Sequence, residues 1–98
     1  MKAWGYKKIR SGKKYIEAFS MRLQSKNLII LKGGKGYIMC GYLDLSTADK
    51  FKDVAVRITG ASNIAEAVLA NVHSLSQAAK RLGIYKGQPI KEVLEIIA

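Results

Sequence analysis

The fold is decided by residues 28–42, which read LIILKGGKGYIMCGY. An apolar run, LIIL, precedes the glycine-rich segment GGKG, and a second apolar run, YIMCGY, follows it. Short apolar runs bounded by glycine are typical of buried β-strands. A glycine-rich segment between two such runs favours a tight turn, because glycine tolerates positive φ. The sequence therefore predicts a β-hairpin with its turn at residues 33–36.

Neither predicted strand of this hairpin has a polar face. In a chain of 98 residues the core is thin, so two such strands need cover on both sides. Helices can cover one side, and another copy of the chain can cover the other. We therefore expect a homo-oligomer, with a tetramer as one expected form. The residues expected in its interface are Leu28, Ile29, Ile30, Leu31, Ile38 and Tyr42.

The rest of the chain supplies further strands and then helices. Residues 15–23 alternate in polarity and predict a strand, and residues 53–59 predict another. Apolar residues recur every three or four positions between residues 64 and 82, which indicates two helices or one kinked helix. Pro89 begins a last helix. Strands followed by helices favour an α+β fold. We expect a mainly antiparallel sheet, made of an N-terminal strand, the hairpin and a later strand, packed by two to three helices.

Residues 1–98 are expected to form one domain. Residues 1–14 have no regular period and predict a basic arm or an irregular edge segment. Residues 15–43 form the predicted β oligomerisation region, and residues 44–98 supply the later strand and the helices. Within this last part, a short helix starts at Asp44 or Ser46, with Ser46 as its expected N-cap.

The net charge of +10 is concentrated near the N-terminus. Residues 1–36 hold ten basic side chains and one acidic one, whereas residues 37–98 hold seven basic and six acidic ones. Such asymmetry indicates either nucleic-acid or anionic-surface binding or a solvated lysine-rich surface. The aromatic residues Trp4, Tyr6 and Tyr15 lie among these lysines and could stack on bases.

Several classes of protein do not fit the composition. No apolar run approaches the roughly 18–20 residues that span a bilayer, and no signal-peptide pattern is present, so we expect a cytoplasmic protein without a membrane partner. The single cysteine, Cys40, excludes an internal disulfide. Together with the single histidine, His73, it provides no recognisable zinc set, and we expect no metal and no cofactor.

Two features could carry chemistry, and each has a structural alternative. Cys40 could be a nucleophile if a base such as His73 lay nearby, or it could be a small buried hydrophobe. The loop formed by Thr59, Gly60, Ala61, Ser62 and Asn63 joins a strand to a helix. It could bind an anion, or it could be a turn and helix cap, with Asn63 and Glu66 at capping-box spacing. The candidate anion-binding residues are Thr59, Gly60, Ser62 and Asn63.

Three segments resemble one family. They are KGYIMCG at residues 35–41, AVRITG at residues 55–60 and AAKRLGI at residues 78–84. Together they are similar to the YunC-like domain-of-unknown-function family of archaea and bacteria, over roughly residues 16–97. The resemblance implies an α+β domain that is oligomeric through its N-terminal β region, and it implies no established activity. The chain departs from the family where similar sequences have a leucine pair, near Ala67 and Val68.

Three functional hypotheses follow. The first is a homo-oligomeric assembly or binding module with a basic surface. The second is a small enzyme with a pocket near Cys40 and the loop of residues 59–63. The third is nucleic-acid binding through the basic N-terminal arm.

Overall fold

Residues 4–98, which the computed structural model describes, form six β-strands and four α-helices. Residues 1–3, the start of the predicted basic arm, lie outside the described residues. In chain order the elements are β1 (Trp4–Ser11), β2 (Lys14–Arg22), β3 (Asn27–Lys32), β4 (Tyr37–Met39), α1 (Leu45–Lys50), β5 (Ala55–Arg57), α2 (Ile64–Val68), β6 (Ser74–Leu75), α3 (Gln77–Arg81) and α4 (Ile90–Ile97).

The strands lie in the sheet in the order in which they occur in the chain. Neighbouring strands are antiparallel except β4 and β5, which are parallel and are connected through α1. The predicted α+β class with a mainly antiparallel sheet is confirmed. In the parallel pair Tyr37 lies opposite Ala55 and Met39 opposite Arg57. The segments that follow β4 and β5 therefore meet at the same edge of the sheet.

One face of the sheet, here called the inner face, carries the hydrophobic core. Strand side chains alternate between faces, and the apolar side chains of β2 to β5 on the inner face are almost completely buried. They include Ile16, Ala18, Ile29, Leu31, Ile38 and Val56. Helices α2, α3 and α4 add Ala67, Ala79, Ile90, Val93, Leu94 and Ile97 to the same cluster. Each fully buried Val, Leu or Ile side chain contributes about 1.5–3 kcal/mol. Ala67 is fully buried in this cluster.

The N-terminal segment is a regular edge strand, where the sequence predicted an arm or an irregular edge. Strand β1 pairs with β2 without a break from Trp4 opposite Met21 to Ser11 opposite Lys14. Gly12, with φ of +64°, makes the tight turn between them. The alternation of polar and apolar residues typical of a strand is not visible in this segment, because lysine occurs on both faces of β1. Ile9 is the side chain of β1 that packs against the core.

The predicted turn at residues 33–36 is present, and the Gly33 N–H donates to the Gly36 carbonyl over 2.8 Å. Neither glycine has positive φ. They are needed because neighbouring segments approach closely: a Cβ on Gly33 would collide with the carbonyl oxygen of Ile97, and one on Gly36 would lie 2.6 Å from the carbonyl oxygen of Val54. Close packing, rather than backbone conformation, therefore explains the glycines of this turn.

The apolar stripe of residues 64–82 is divided between two helices, as one of the two predicted alternatives had it. Helix α2 ends at Val68, and α3 begins at Gln77 with Ser76 as its N-cap. The two-residue strand β6, which pairs with β5, lies between them and was not predicted. It is too short to show an alternation of its own.

Helix α1 is capped by Asp44, whereas Ser46 was the expected cap. The Asp44 carboxylate accepts hydrogen bonds from the Ser46 N–H over 3.0 Å and from the Ser46 and Thr47 hydroxyls over 2.7 and 2.9 Å. Because these bonds favour the charged form, they lower the pKa of Asp44, with the Ser46 hydroxyl the largest cause.

Candidate functional site

The face of the sheet opposite the helices, here called the outer face, is apolar at one end. Its side chains at that end are Trp4, Tyr6, Phe19, Met21, Leu28, Ile30 and Met39. Trp4 is 59% exposed and Met21 is 50% exposed. The rings of Tyr6 and Phe19 pack with their centroids 5.0 Å apart. Helix α1 contacts β5, where the outer-face residue Ala55 is fully buried, so the uncovered area lies on β1 to β4.

The other end of the outer face, towards the turn between β1 and β2, is basic. Its cationic residues are Lys8, Arg10 and Lys32. The Lys8 ammonium lies 5.7 Å from the ring centroid of Tyr15, which is 55% exposed. Glu17 lies opposite Lys8 and accepts a hydrogen bond from the Tyr6 hydroxyl over 3.0 Å, which raises the pKa of Tyr6. Apolar and basic groups are thus separated along one face.

A cavity of about 580 Å³ opens where β4 and β5 end. Its wall is made by the turn between β2 and β3, the segment after β4, the end of β5 and the loop before α2. Among residues 4–98, three cationic side chains line it, those of Arg22, Lys26 and Arg57, and no aspartate or glutamate does. Ligands of open α/β sheets bind in the crevice beyond the carboxyl ends of parallel strands, and this cavity has that position.

The structure brings most of the predicted candidate residues to this cavity. Cys40, Thr59, Gly60 and Ser62 all line it, although Cys40 is about twenty positions away from the others in the chain. Asn63 does not line it and caps α2 instead. Two distant sequence signals therefore share one concave site.

Cys40 is buried at the cavity wall and has a backbone hydrogen-bond partner. Its side chain is 6% exposed, and the thiol donates to the Asn27 carbonyl over 3.8 Å. His73 does not line the cavity; its Nδ1 lies 3.1 Å from the Ser74 hydroxyl on β6. The structure therefore places no imidazole base in the cavity that holds Cys40.

The start of α2 is occupied by its own capping box, as the spacing predicted. Asn63 Oδ1 accepts from the Glu66 N–H over 2.8 Å, and Glu66 Oε1 accepts from the Ser62 N–H over 2.8 Å. The N–H groups of Ser62 and Glu66 are therefore paired within the capping box, with the Glu66 carboxylate beside them.

The cavity wall is tied together by Asn27. Its side-chain amide donates to the Ser62 carbonyl over 2.7 Å and so joins the turn between β2 and β3 to the loop before α2. Arg57 lies between these two segments on β5, half-buried. The sequence analysis did not select Arg57 as a site residue. A single arginine within the apolar segment AVRI was the signal that could have identified it.

The six predicted interface residues lie in three different places. Leu28 and Ile30 are on the outer face. Ile29, Leu31 and Ile38 are at most 1% exposed and belong to the chain's own core beneath the helices. Tyr42 lines the cavity. Among the six, an outer-face interface can therefore use only Leu28 and Ile30.

Within residues 4–98, no three His, Cys, Asp or Glu side chains are grouped closely enough to hold a metal ion. In the same range, no helix has both the length and the apolar character that a membrane span requires.

A family model described as "Domain of unknown function (DUF1805)" matches residues 39–97. The chain belongs to this family. The matched region begins at the end of β4 and includes both parallel-strand ends that border the cavity, whereas β1 to β3 precede it.

Two relatives extend the comparison to the N-terminal strands. The uncharacterized protein YunC of Bacillus subtilis (strain 168) is 35% identical over 81 residues, which cover 79% of this chain and 80% of that protein. The crystal structure of a protein of unknown function from Thermoplasma acidophilum matches with a TM-score of 0.93 and 34% identity, over 97% of this chain and 93% of that one. The predicted membership of the YunC-like family is confirmed. Since both relatives are described as uncharacterised, function has to be argued from geometry.

Proposed function

We propose that the protein is a homo-oligomeric module whose subunits pack through the apolar end of the outer face. The observation that carries this proposal is the exposure of several large apolar side chains on one sheet face, with Met21 at 50% and Phe19 at 37%. A contiguous apolar patch of this kind is typical of a protein–protein interface, because its burial removes apolar surface from water.

The separation of charge on the outer face favours a second copy of the chain as the partner. Lys8 and Arg10 would repel the same residues of another copy if the two basic ends met. In a two-fold arrangement that stacks the apolar ends in opposite directions, the basic ends point away from each other. The interface is then self-complementary, as a two-fold interface has to be.

A tetramer requires a second interface in addition to this face. The free edge of β1 offers a second interface, since β1 is an edge strand and only β2 pairs with it within residues 4–98. Exposed edges of this kind pair with other strands unless charges prevent it. The lysines of β1 oppose such pairing, so the outer face is the primary interface and a dimer is its minimal product.

The test is the molar mass in solution of two matched variants. Phe19→Glu places a charge in the outer face, whereas Phe51→Glu places the same charge at the end of α1, where Phe51 is 73% exposed. Light scattering coupled to size exclusion should show an oligomer for the wild type and for Phe51→Glu, and a monomer for Phe19→Glu with an unchanged circular dichroism spectrum. A wild type that stays monomeric at high concentration would overturn the proposal.

A second candidate function is nucleic-acid binding through the basic end of the outer face. The observation that favours it is the clustering of Lys8, Arg10 and the exposed ring of Tyr15 on one hairpin. Phosphate neutralisation releases counterions, so binding to a single-stranded oligonucleotide should weaken steeply with salt. The double variant Lys8→Ala, Arg10→Ala should reduce the salt dependence. Binding that is absent or insensitive to salt would dismiss this candidate.

The enzyme hypothesis is supported by the shared cavity of Cys40 and Thr59 and opposed by the low exposure of the thiol. It requires Cys40 to react with iodoacetamide in the folded protein faster than a buried thiol does. Alkylation that occurs only after denaturation, measured by mass spectrometry, would remove Cys40 from any catalytic role.

A further inference from the structure

We propose that the cavity beyond β4 and β5 binds the phosphate group of a small phosphate ester. Arg57 lies beside Met39 on the outer face, so the cavity borders the proposed interface, and ligand binding tests the site separately from oligomerisation. Its argument rests on charge, on an unsatisfied donor and on the size of the cavity.

The first observation is an uncompensated concentration of positive charge. Arg22 and Lys26 border the turn between β2 and β3, and Arg57 enters from β5, so three cations converge from two directions. Within residues 4–98 none of these side chains forms an ion pair or hydrogen bond with another residue. Like charges gathered in a concave site without a counter-charge repel one another and raise the local concentration of anions.

The second observation is the state of the Arg57 guanidinium. Its Nε is buried and has no hydrogen-bond partner among residues 4–98. Buried donors are nearly always paired, and an unpaired buried donor on a charged group is unfavourable. A ligand oxyanion in the cavity would be reached by the terminal nitrogens of this guanidinium, which are not buried and have no hydrogen-bond partner among residues 4–98. Guanidinium groups are suited to this because they donate through a planar fork that matches phosphate or carboxylate oxygens.

The third observation concerns neutral donors and shape. The hydroxyls of Ser25, Thr59 and Ser62 line the cavity and have no partner within the described residues, so they can complete the coordination of several oxygens. A volume of about 580 Å³ is typical of sites for small organic ligands and exceeds what an inorganic ion needs. Tyr42, 50% exposed, offers an aromatic surface at the wall for the organic part.

Phosphate is favoured over carboxylate because of the number of cations. A phosphate monoester carries nearly two negative charges at neutral pH and three terminal oxygens. Three cationic side chains and three hydroxyls match that charge and that number of acceptors better than they match a single carboxylate. A nucleic-acid backbone is disfavoured because the site is a concave cavity. The basic end of the outer face, in contrast, is open.

The test is isothermal titration of the folded protein with glucose 6-phosphate, gluconate and glucose, three probes of similar size that carry a phosphate, a carboxylate and no charge. Inorganic phosphate serves as the minimal probe. We expect glucose 6-phosphate to bind, gluconate to bind roughly tenfold more weakly and glucose not to bind. Binding should weaken with added salt, since the attraction is electrostatic.

Matched variants locate the site. Lys26→Ala and Arg57→Gln should each weaken the binding of glucose 6-phosphate roughly tenfold or more. Lys50→Ala removes an exposed lysine of α1 that does not line the cavity and should leave binding unchanged. Lys26 is an exposed turn residue, so its variant remains informative if Arg57→Gln fails to fold.

Three results would overturn the proposal. The first is no binding of either phosphate probe at millimolar concentration. The second is equal binding of gluconate and glucose 6-phosphate, which would replace phosphate with a general anion. The third is phosphate binding that survives Lys26→Ala but is lost in the double variant Lys8→Ala, Arg10→Ala. This result would place the site at the basic end of the outer face and would favour nucleic-acid binding.

Discussion

Ser76 is fully buried, and its hydroxyl joins three parts of the chain. It donates to the Asp53 carbonyl over 2.7 Å and accepts from the N–H groups of Ala55 and Ala79 over 3.0 and 3.2 Å. One hydroxyl group thereby satisfies backbone groups of Asp53 and Ala55 at the start of β5 and the N–H of Ala79 in α3. Since the parallel pairing of β5 positions Arg57, this hydroxyl also supports the cavity.

We predict that Ser76→Ala lowers the free energy of unfolding by roughly 2–4 kcal/mol, because it leaves buried backbone groups without partners. The measurement is urea denaturation followed by circular dichroism. The control is Ser74→Ala, two positions earlier on β6 and half-buried, which should change the free energy by no more than about 0.5 kcal/mol. Equal effects of the two variants would contradict the role assigned to Ser76.

Tyr37 makes a hydrogen bond whose effect can be measured by titration. Its hydroxyl donates to Asp53 Oδ2 over 2.9 Å. Burial and this bond raise the pKa of Tyr37 from 10.0 to about 12. The neutral phenol is therefore favoured in the folded state, so the associated stability is present below pH 10 and is lost as the pH rises from 10 through 12.

We predict that Tyr37→Phe destabilises the protein by about 1–2 kcal/mol at neutral pH, since a hydrogen bond to a carboxylate is lost. Ultraviolet titration of phenolate absorbance should show a tyrosine that ionises near pH 12 in the wild type and is missing in the variant. A variant whose titration curve matches that of the wild type at high pH would refute the assignment.

Some residues of the cavity could be predicted from the sequence, and others could not. Cys40, Thr59, Gly60 and Ser62 were recognisable as residue types that can carry chemistry, and all four line the cavity. Arg22, Lys26 and Arg57 were counted only as charge, because a lysine or arginine has no local pattern that separates a solvated side chain from one in a cavity.

At the scale of elements, the turn between β3 and β4 holds the C-terminal helix in place. The Lys35 N–H donates to the Ile97 carbonyl over 2.7 Å, and Gly33 lies against the same carbonyl. Gly34, the next residue, would have an added Cβ 3.7 Å from Ala98, which is ordinary contact. Adjacent glycines thus differ sharply in the space around them.

We predict that Gly33→Ala destabilises the protein by at least about 2 kcal/mol, because the added methyl group must displace either the turn or the end of α4. Gly34→Ala should change stability by about 0.5 kcal/mol or less. Thermal unfolding of both variants tests the pair, and a Gly33→Ala protein as stable as Gly34→Ala would show that the contact between turn and helix is not restrictive.

The elements predicted well from sequence are those whose signal is local. The alternation of residues 15–23, the capping box of Asn63 and Glu66 and the proline before α4 all lie within a few residues and all correspond to structure. Strand β6 and the parallel pairing of β4 with β5 depend on contacts between distant segments, and no short pattern encodes these.

At the scale of the whole molecule, the proposed oligomerisation would couple the stability of the protein to its concentration. Because subunits that associate only when folded stabilise the folded state by mass action, the wild-type melting temperature should rise by roughly 5–10 °C over a hundredfold increase in protein concentration. Calorimetry of Phe19→Glu should show no such increase, whereas Phe51→Glu should behave as the wild type. A wild-type melting temperature independent of concentration would contradict the proposed interface.

The cavity also belongs to this scale. Its wall comes from four separate segments, and Asn27 and Ser62, which close it with one hydrogen bond, are 35 positions apart. Composition revealed the positive charge of the chain but not that three of its cations converge, since convergence depends on strand register and on the parallel pair.

The strand order of the sheet has a consequence for how the protein is made. Each strand pairs only with its predecessor and successor in the chain, so every pairing after the first extends a sheet that already exists. As the ribosome releases the chain from the N-terminus, β1 to β4 can assemble as a meander before α4 is synthesised. The apolar outer face on β1 to β4 is then formed early in synthesis, before helices α2 to α4 that cover the inner face.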